Sequence, residues 1–133
     1  MNLLLDTHVW IWSQENPDLL PPQTREAIND RSNGCAVSVI SELEIARLAQ
    51  RKQIELDRGV EEWIDKSIAV LGAHEIELSR VIAVEAYRLP GEFHKNPADR
   101  VLVATARLFG MTLVSADRQL LRYRHVNSMS AKR

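Results

Sequence analysis

Cysteine is almost missing from this chain. Cys35 is the only one in 133 residues. A lone thiol excludes an internal disulfide framework, and it fits a reducing compartment. Next to Ala36 and Val37, Cys35 reads as an inert residue of a buried strand. Excess charge of either sign is missing too, with a net charge of −1 and a pI near 6.4. A protein that grips nucleic acid by overall charge is usually strongly basic. Contact with nucleic acid would here have to be local, or draw positive charge from a metal ion. No apolar run is long enough to span a bilayer. Met1 to Leu5 lead straight into Asp6 with no basic segment before them, unlike a signal peptide. The expectation is a cytoplasmic protein without a membrane partner. Internal repeats, low-complexity tracts and linkers are also lacking, which predicts one domain over 1–133 with one core.

What is present alternates. Leu3-Leu4-Leu5 is a short apolar run ending at Asp6, the pattern of a buried strand. Helical sequence follows through Trp10 and Trp12 until Asn16-Pro17. Pro21-Pro22 opens a second helix that should end near Asn33-Gly34. Cys35 to Ser38 reads as a strand and Ser41 to Lys52 as a helix. Val60, Trp63, Ile64, Ser67, Ile68 and Leu71 repeat at helical spacing, and Gly72 ends that helix. Ile76 and Leu78 suggest a brief strand, and Ser79 caps a helix running to Leu89. Asn96-Pro97 starts a helix that reaches Phe109, with Gly110 as its stop. Thr112 to Ser115 is another buried strand, a short helix follows Asp117, and residues 127–133 are expected to fray. Short buried strands alternating with helices predict an α/β fold, a short parallel sheet flanked by helices on both faces. In such sheets ligands bind beyond the carboxyl ends of the strands.

If the sheet is parallel, at least three acids fall at that edge, and a fourth can join them from a neighbouring helix start. Asp6 follows the first strand, Asp117 the strand Thr112 to Ser115, and Glu44 lies early in the helix after the second strand. Asp99 sits in the first turn of the helix opened by Asn96-Pro97. Each acid alone reads as a helix cap, because carboxylates favour free N–H groups and the positive dipole end. Ser41-Glu42-Leu43-Glu44 even has the form of a capping box. Four carboxylates gathered at one edge would repel unless some are protonated or a cation sits among them. Oxygen ligands without a Cys or His cluster suit a hard ion, Mg²⁺ or Mn²⁺. Such an ion acidifies water and stabilises phosphate charge, which is the chemistry of phosphodiester hydrolysis.

The motifs Leu3-Leu4-Leu5-Asp6-Thr7-His8, Ser38-Val39-Ile40-Ser41-Glu42-Leu43-Glu44-Ile45-Ala46, His94-Lys95-Asn96-Pro97-Ala98-Asp99-Arg100 and Leu113-Val114-Ser115-Ala116-Asp117 resemble, in order, those of the PIN domain. They are similar in particular to VapC-type toxins of bacterial toxin–antitoxin pairs, over about Leu3 to Leu121. The resemblance implies a PIN-like α/β/α sandwich and a Mg²⁺- or Mn²⁺-dependent endoribonuclease that cleaves RNA. It also implies a homodimer held inactive by a VapB-type antitoxin. The family's acids fall on Asp6, Glu44, Asp99 and Asp117, as metal ligands and catalytic residues. Ser115 takes the place of a small hydroxyl residue that steadies a ligand or water. Asn96 stands where relatives often carry Asp. Glu42 competes with Glu44, since two residues apart is about 200° on a helix and both cannot face one ion; the L-E-I-A pattern favours Glu44.

Other residues keep two readings. His8 and His94 are read as structural before catalytic. Arg100 either binds RNA phosphate or pairs with an acid. Trp10 and Trp12 are expected to pack rather than stack on bases, and Trp63 belongs to its helix's apolar stripe. Arg122, Arg124, His125, Lys132 and Arg133 form a basic stretch that is a solvated end, an RNA guide or an antitoxin contact. A low-turnover RNA- or protein-binding module is the alternative function. An aspartyl-phosphate phosphatase fits less well, because it would want a second Asp where His8 stands.

Overall fold

The computed structural model describes residues 1–94 and 96–133; Lys95, part of the third motif, lies outside the described residues. Five strands form one parallel sheet: β1 (Asn2–Leu5), β2 (Gly34–Ser38), β3 (His74–Ile76), β4 (Thr112–Ser115) and β5 (Ser128–Ser130), in the order β3-β2-β1-β4-β5. The helices are α1 (Thr7–Glu15), α2 (Pro22–Asn29), α3 (Val39–Gln50), α4 (Val60–Leu71), α5 (Arg80–Glu85), α6 (Pro97–Phe109) and α7 (Arg118–Arg122), with a 3-10 turn at Pro17–Leu19. Among the described residues no helix is long and apolar enough to cross a membrane.

The first strand shows why the sheet is covered on both faces. Successive side chains of a strand point to opposite faces, and Leu3, Leu4 and Leu5 are all fully buried. Leu3 and Leu5 join Cys35, Val37 and Val114 in one cluster, which the helices fill with Val9, Trp10, Ile45, Trp63 and Ile64. Leu4 joins Ala36 and Leu113 in the other, beneath Leu102, Val103 and Ala106 of α6. Helix α5 then packs on α6 through Ile82, Ala86, Val101 and Ala104. The result is the expected α/β/α sandwich. A slip of one residue along β1 would turn both clusters inside out, so the registers Leu4↔Ala36 and Leu4↔Leu113 are strongly specified.

Several helix ends fall where the residues placed them. Gly72 and Gly110 take left-handed backbone, with φ of 61° and 64°, and close α4 and α6. The Asn96 Oδ1 accepts from the Ala98 N–H at 2.9 Å and starts α6. Ser79 caps α5 through the Ile82 N–H, but that helix stops at Glu85 rather than Leu89. Helix α2 ends at Asn29, short of Asn33-Gly34, because Gly34 already pairs with Asn2 in the sheet.

Two expectations are corrected. Helix α3 begins at Val39 with Ser38 as its cap, not at Ser41. Residues 127–133 do not fray as one piece: Ser128–Ser130 forms β5 beside β4, and Ala131 is buried. The Ala131 N–H donates to the Ser115 carbonyl at 2.7 Å, and the Thr24 hydroxyl donates to the Ser130 carbonyl. Polar composition hid this strand, because its stability comes from the open edge of β4 and not from its own side chains.

Candidate active site

The strand order reverses direction at β1, which has β2 on one side and β4 on the other. A crevice opens at such a switch point, beyond the carboxyl ends of the strands. Asp6 leaves β1 there and Asp117 follows β4 by two residues. A cleft of about 440 Å³ occupies the spot, and Asp6, Glu44, Asp99 and Asp117 all line it. The four predicted acids therefore share one cleft, with His8, Trp12 and Arg47 around them.

Each acid is held by a different framework. Asp6 caps α1, its Oδ1 accepting from the Val9 N–H at 2.9 Å. Its carboxyl is almost fully buried and its pKa is raised, chiefly by that burial. The Ser115 hydroxyl, the Val9 N–H and His8 oppose the rise, while Asp117 adds to it. Asp117 caps α7 through the Gln119 N–H at 2.7 Å, and its own N–H donates to Ser115 Oγ at 2.9 Å. Ser115 is fully buried and its hydroxyl contacts both acids.

Glu44 escapes the capping-box role. Because α3 starts at Val39, Ser41 lies inside the helix. There Ser41 Oγ accepts from the Thr7 hydroxyl at 3.0 Å, a buried bond that ties α3 to the start of α1. Glu44 is thereby left free to face the cleft. Glu42 points elsewhere. Burial first, then the facing Glu75 carboxylate and Asp65, push the Glu42 carboxyl up to about 8. Its Oε2 is enclosed without a hydrogen-bond partner among the described residues, so desolvation and like-charge repulsion sustain that shift.

Asp99 stands at the third position of α6, and its carboxyl is pushed up to about 7. Burial is the largest cause, followed by the charges of Asp117, Glu44 and Asp6. The three other acids thus act on Asp99 electrostatically, as their common cleft requires. His94 Nε2 lies 3.2 Å from Asp99 Oδ2, within ion-pair distance. It does not reach hydrogen-bond geometry with any described group. We read the contact as proximity rather than a formed bond.

The donor set suits a hard cation: four carboxylates, with no thiol among the lining residues. Asp6 and Asp117 each engage only Oδ1 in a cap, which leaves Oδ2 of both outside the capping bonds. Among the described residues no three His, Cys, Asp or Glu side chains stand close enough together, as placed, to hold a metal ion. Like charges in one cleft repel, and a cation drawn between the acids would relieve that repulsion.

Other residues resolve differently from expectation. Among the described residues Arg100 pairs with no acid. Its guanidinium donates to the carbonyls of His94, Ala86 and Phe93, each at 3.1 Å. It also lies 4.9 Å from the Tyr87 ring centroid. Arg100 is the clamp that fixes the chain leading to His94. His8 is exposed at the cleft lip, tilted against Trp12 at 6.0 Å, and so belongs to the site surroundings rather than the core. Trp10 packs as expected, donating from Nε1 to Ser67 Oγ at 2.9 Å. Arg47 was not singled out from the sequence, yet its spacing of three from Glu44 puts it on the same face of α3.

Comparison with known proteins follows the same lines. The family model described as PIN domain matches residues 3–126. Ribonuclease VapC22 of Mycobacterium tuberculosis (strain ATCC 25618 / H37Rv) is 35% identical over 125 residues, covering 92% of each chain. Among solved structures, a toxin–antitoxin complex from Klebsiella pneumoniae matches with a TM-score of 0.68 at 20% identity, covering 96% of this chain and 95% of that one. VapBC2 from Rickettsia felis, bound to a DNA fragment from its promoter, matches with a TM-score of 0.67 at 17% identity, covering 98% of both chains. At those identities the structural likeness speaks for the fold.

Two outcomes follow from these contacts. A carboxyl raised from 4.5 to about 8 stays protonated in the fold where the unfolded chain ionises. Its stabilising contribution is complete below pH 4.5 and is lost as pH rises toward 8. Glu42→Gln should therefore melt like the parent at pH 5 and higher than the parent near pH 8.5, read by circular dichroism; equal melting at both would contradict the assignment. Arg100→Lys keeps the charge but cannot serve three carbonyls with one fork. It should cost about 2–3 kcal/mol of stability by denaturant titration, and a neutral result would show the clamp to be dispensable.

Proposed function

This chain belongs to the PIN domain family, and from that premise we propose that it is a Mg²⁺- or Mn²⁺-dependent endoribonuclease toxin neutralised by a VapB-type antitoxin. The observation that carries the reading is the shared cleft of Asp6, Glu44, Asp99 and Asp117 at the sheet's switch point. The 35% identity to Ribonuclease VapC22 supports RNA as the substrate. Structural neighbours described as toxin–antitoxin complexes support a protein antitoxin as the partner.

In this reading Asp6, Asp99 and Asp117 would hold the ion, with Glu44 as a fourth ligand or an orienter of one. A bound divalent ion would supply an acidified water and a counter-charge for the phosphate. The chain's own residues do the rest. The Val9 N–H and the buried Ser115 hydroxyl orient Asp6. The Thr7–Ser41 bond sets the distance between α1 and α3, and so between Asp6 and Glu44. Arg47 at the cleft wall is placed to receive a phosphate oxygen, and the indole of Trp12 shields one side from water. A negative substrate meets a negative cleft, so RNA binding there depends on the cation, in keeping with a net charge of −1.

The exposed apolar side chains Val81 and Val84 of α5, with Leu108 and Phe109 of α6, suit burial against a second copy, and a homodimer is part of the proposal. A cytoplasmic location is part of it as well.

The test is cleavage of RNA by purified protein with Mg²⁺ or Mn²⁺, compared with Asp6→Asn. Cleavage should need the ion, stop on chelation, and fall at least ~100-fold in the variant while its melting curve survives. Metal-dependent cleavage by Asp6→Asn at the parent rate would overturn the assignment. A folded parent with RNA affinity but no turnover would favour a binding module instead.

A further inference from the structure

A second depression, of about 640 Å³, opens beside the acid cleft and has no part in the mechanism above. Phe93, His94, Arg122, Tyr123, Arg124 and His125 are among the residues that line it. Their rings form a continuous run. Centroids lie 4.4 Å apart for Phe93 and His94, 4.8 Å for Phe93 and Tyr123, and 5.4 Å for Tyr123 and His125. The run is held in place. Tyr123 is buried and its hydroxyl donates to the Pro90 carbonyl, while Arg100 clamps the carbonyls of Phe93 and His94.

Positive charge gathers in the same stretch of chain, and Arg122 and Arg124 bring it to the depression itself. From Arg107 to His125 the sequence holds four arginines (107, 118, 122 and 124) against the single acid Asp117. The chain as a whole is slightly negative, so this is a local reversal of sign. Glu92 is the one acid among the residues lining the depression. The depression also begins where the acid cleft ends. Gln119 lines it while its N–H donates to Asp117 Oδ1, and His94 lines it while its Nε2 stands 3.2 Å from Asp99.

We propose that this groove binds the single-stranded RNA segment next to the scissile phosphate. One base stacks against the Phe93, His94 and His125 rings, backed by Tyr123, while Arg122 and Arg124 take the adjoining phosphates. Single strands expose the base faces that such rings require, whereas paired bases in a duplex are already stacked. Rings interleaved with arginines match a nucleotide chain, with its repeating flat base and anion, better than they match a peptide. The proposal rests on the ribonuclease reading of the acid cleft. It adds that the substrate is unpaired there, and that the choice of RNA is made partly by the base held in this groove.

Binding separates the two claims. A short fluorescein-labelled single-stranded RNA is titrated by anisotropy against full-length Asp6→Asn protein, which should leave the RNA intact. Adding Arg122→Ala with Arg124→Ala should weaken binding at least ~tenfold. It should also lower the slope of log Kd against log salt by about 1.4, the value for two charges on a single strand. His125→Ala, which alters an exposed side chain, and Phe93→Leu should each weaken binding roughly tenfold with the salt slope unchanged. Unaltered binding in these variants, with native melting curves, would overturn the groove assignment even if the parent cleaves RNA. Weakened binding in these variants, beside a parent that never cleaves, would uphold the groove as an RNA site and remove the ribonuclease reading. Unaltered RNA binding with lost binding of a protein antitoxin would assign the groove to protein and overturn the proposal.

Discussion

Repulsion among four carboxylates in one cleft is the constraint on which the rest of this structure depends. Asp6 is nearly buried and Asp99 is half-buried, and both carry raised pKa values in consequence. A fold keeps such an arrangement only if the surrounding framework is stable without it. Here the framework supplies helix caps. Asp6 and Asp117 cap α1 and α7 with one oxygen each, and Asn96 caps α6 so that Asp99 is carried in its first turn. The plain role and the chemical role therefore coexist in the same side chains, because a carboxylate has two oxygens.

The sheet supplies the other half. Leu3, Leu4 and Leu5 anchor β1 between two apolar clusters, which fixes where Asp6 emerges. Register with β4 then fixes Asp117, and the Thr7–Ser41 bond brings in α3 with Glu44. Only Asp99 comes from the helical layer alone, and its neighbourhood is pinned by Arg100 on three backbone carbonyls. Precision at the site is thus inherited from buried contacts behind it, and the cleft itself stays open and polar.

Most of this was legible in the residues. Strong local signals placed the ends well: Gly72, Asn96-Pro97 and Gly110 each act on backbone within a turn of themselves. The parallel sheet followed from short apolar strands separated by helices, and the shared edge of the four acids followed from the sheet. What could not be read depended on tertiary partners. Ser41 has the form of a cap, but Ser38 caps α3 one turn earlier and leaves Ser41 inside the helix, bonded to Thr7. Glu42 and Glu44 share one apolar surrounding in sequence, and the position of β3 with Glu75 separates them. The role of Arg100 stayed open between phosphate and acid because its acceptors are carbonyls, which every residue carries and no pattern marks. β5 was hidden for the same reason: it is made by the free edge of β4.

The central claim is that the four acids form one cation site. Uptake of Mn²⁺, followed through the electron paramagnetic resonance signal of the free ion, tests it without RNA or a partner. The account predicts binding at millimolar Mn²⁺ or below by the parent chain, retained in Glu42→Gln and sharply weakened in Asp6→Asn and Asp99→Asn. Equal uptake by all four proteins, or none by the parent, would contradict it.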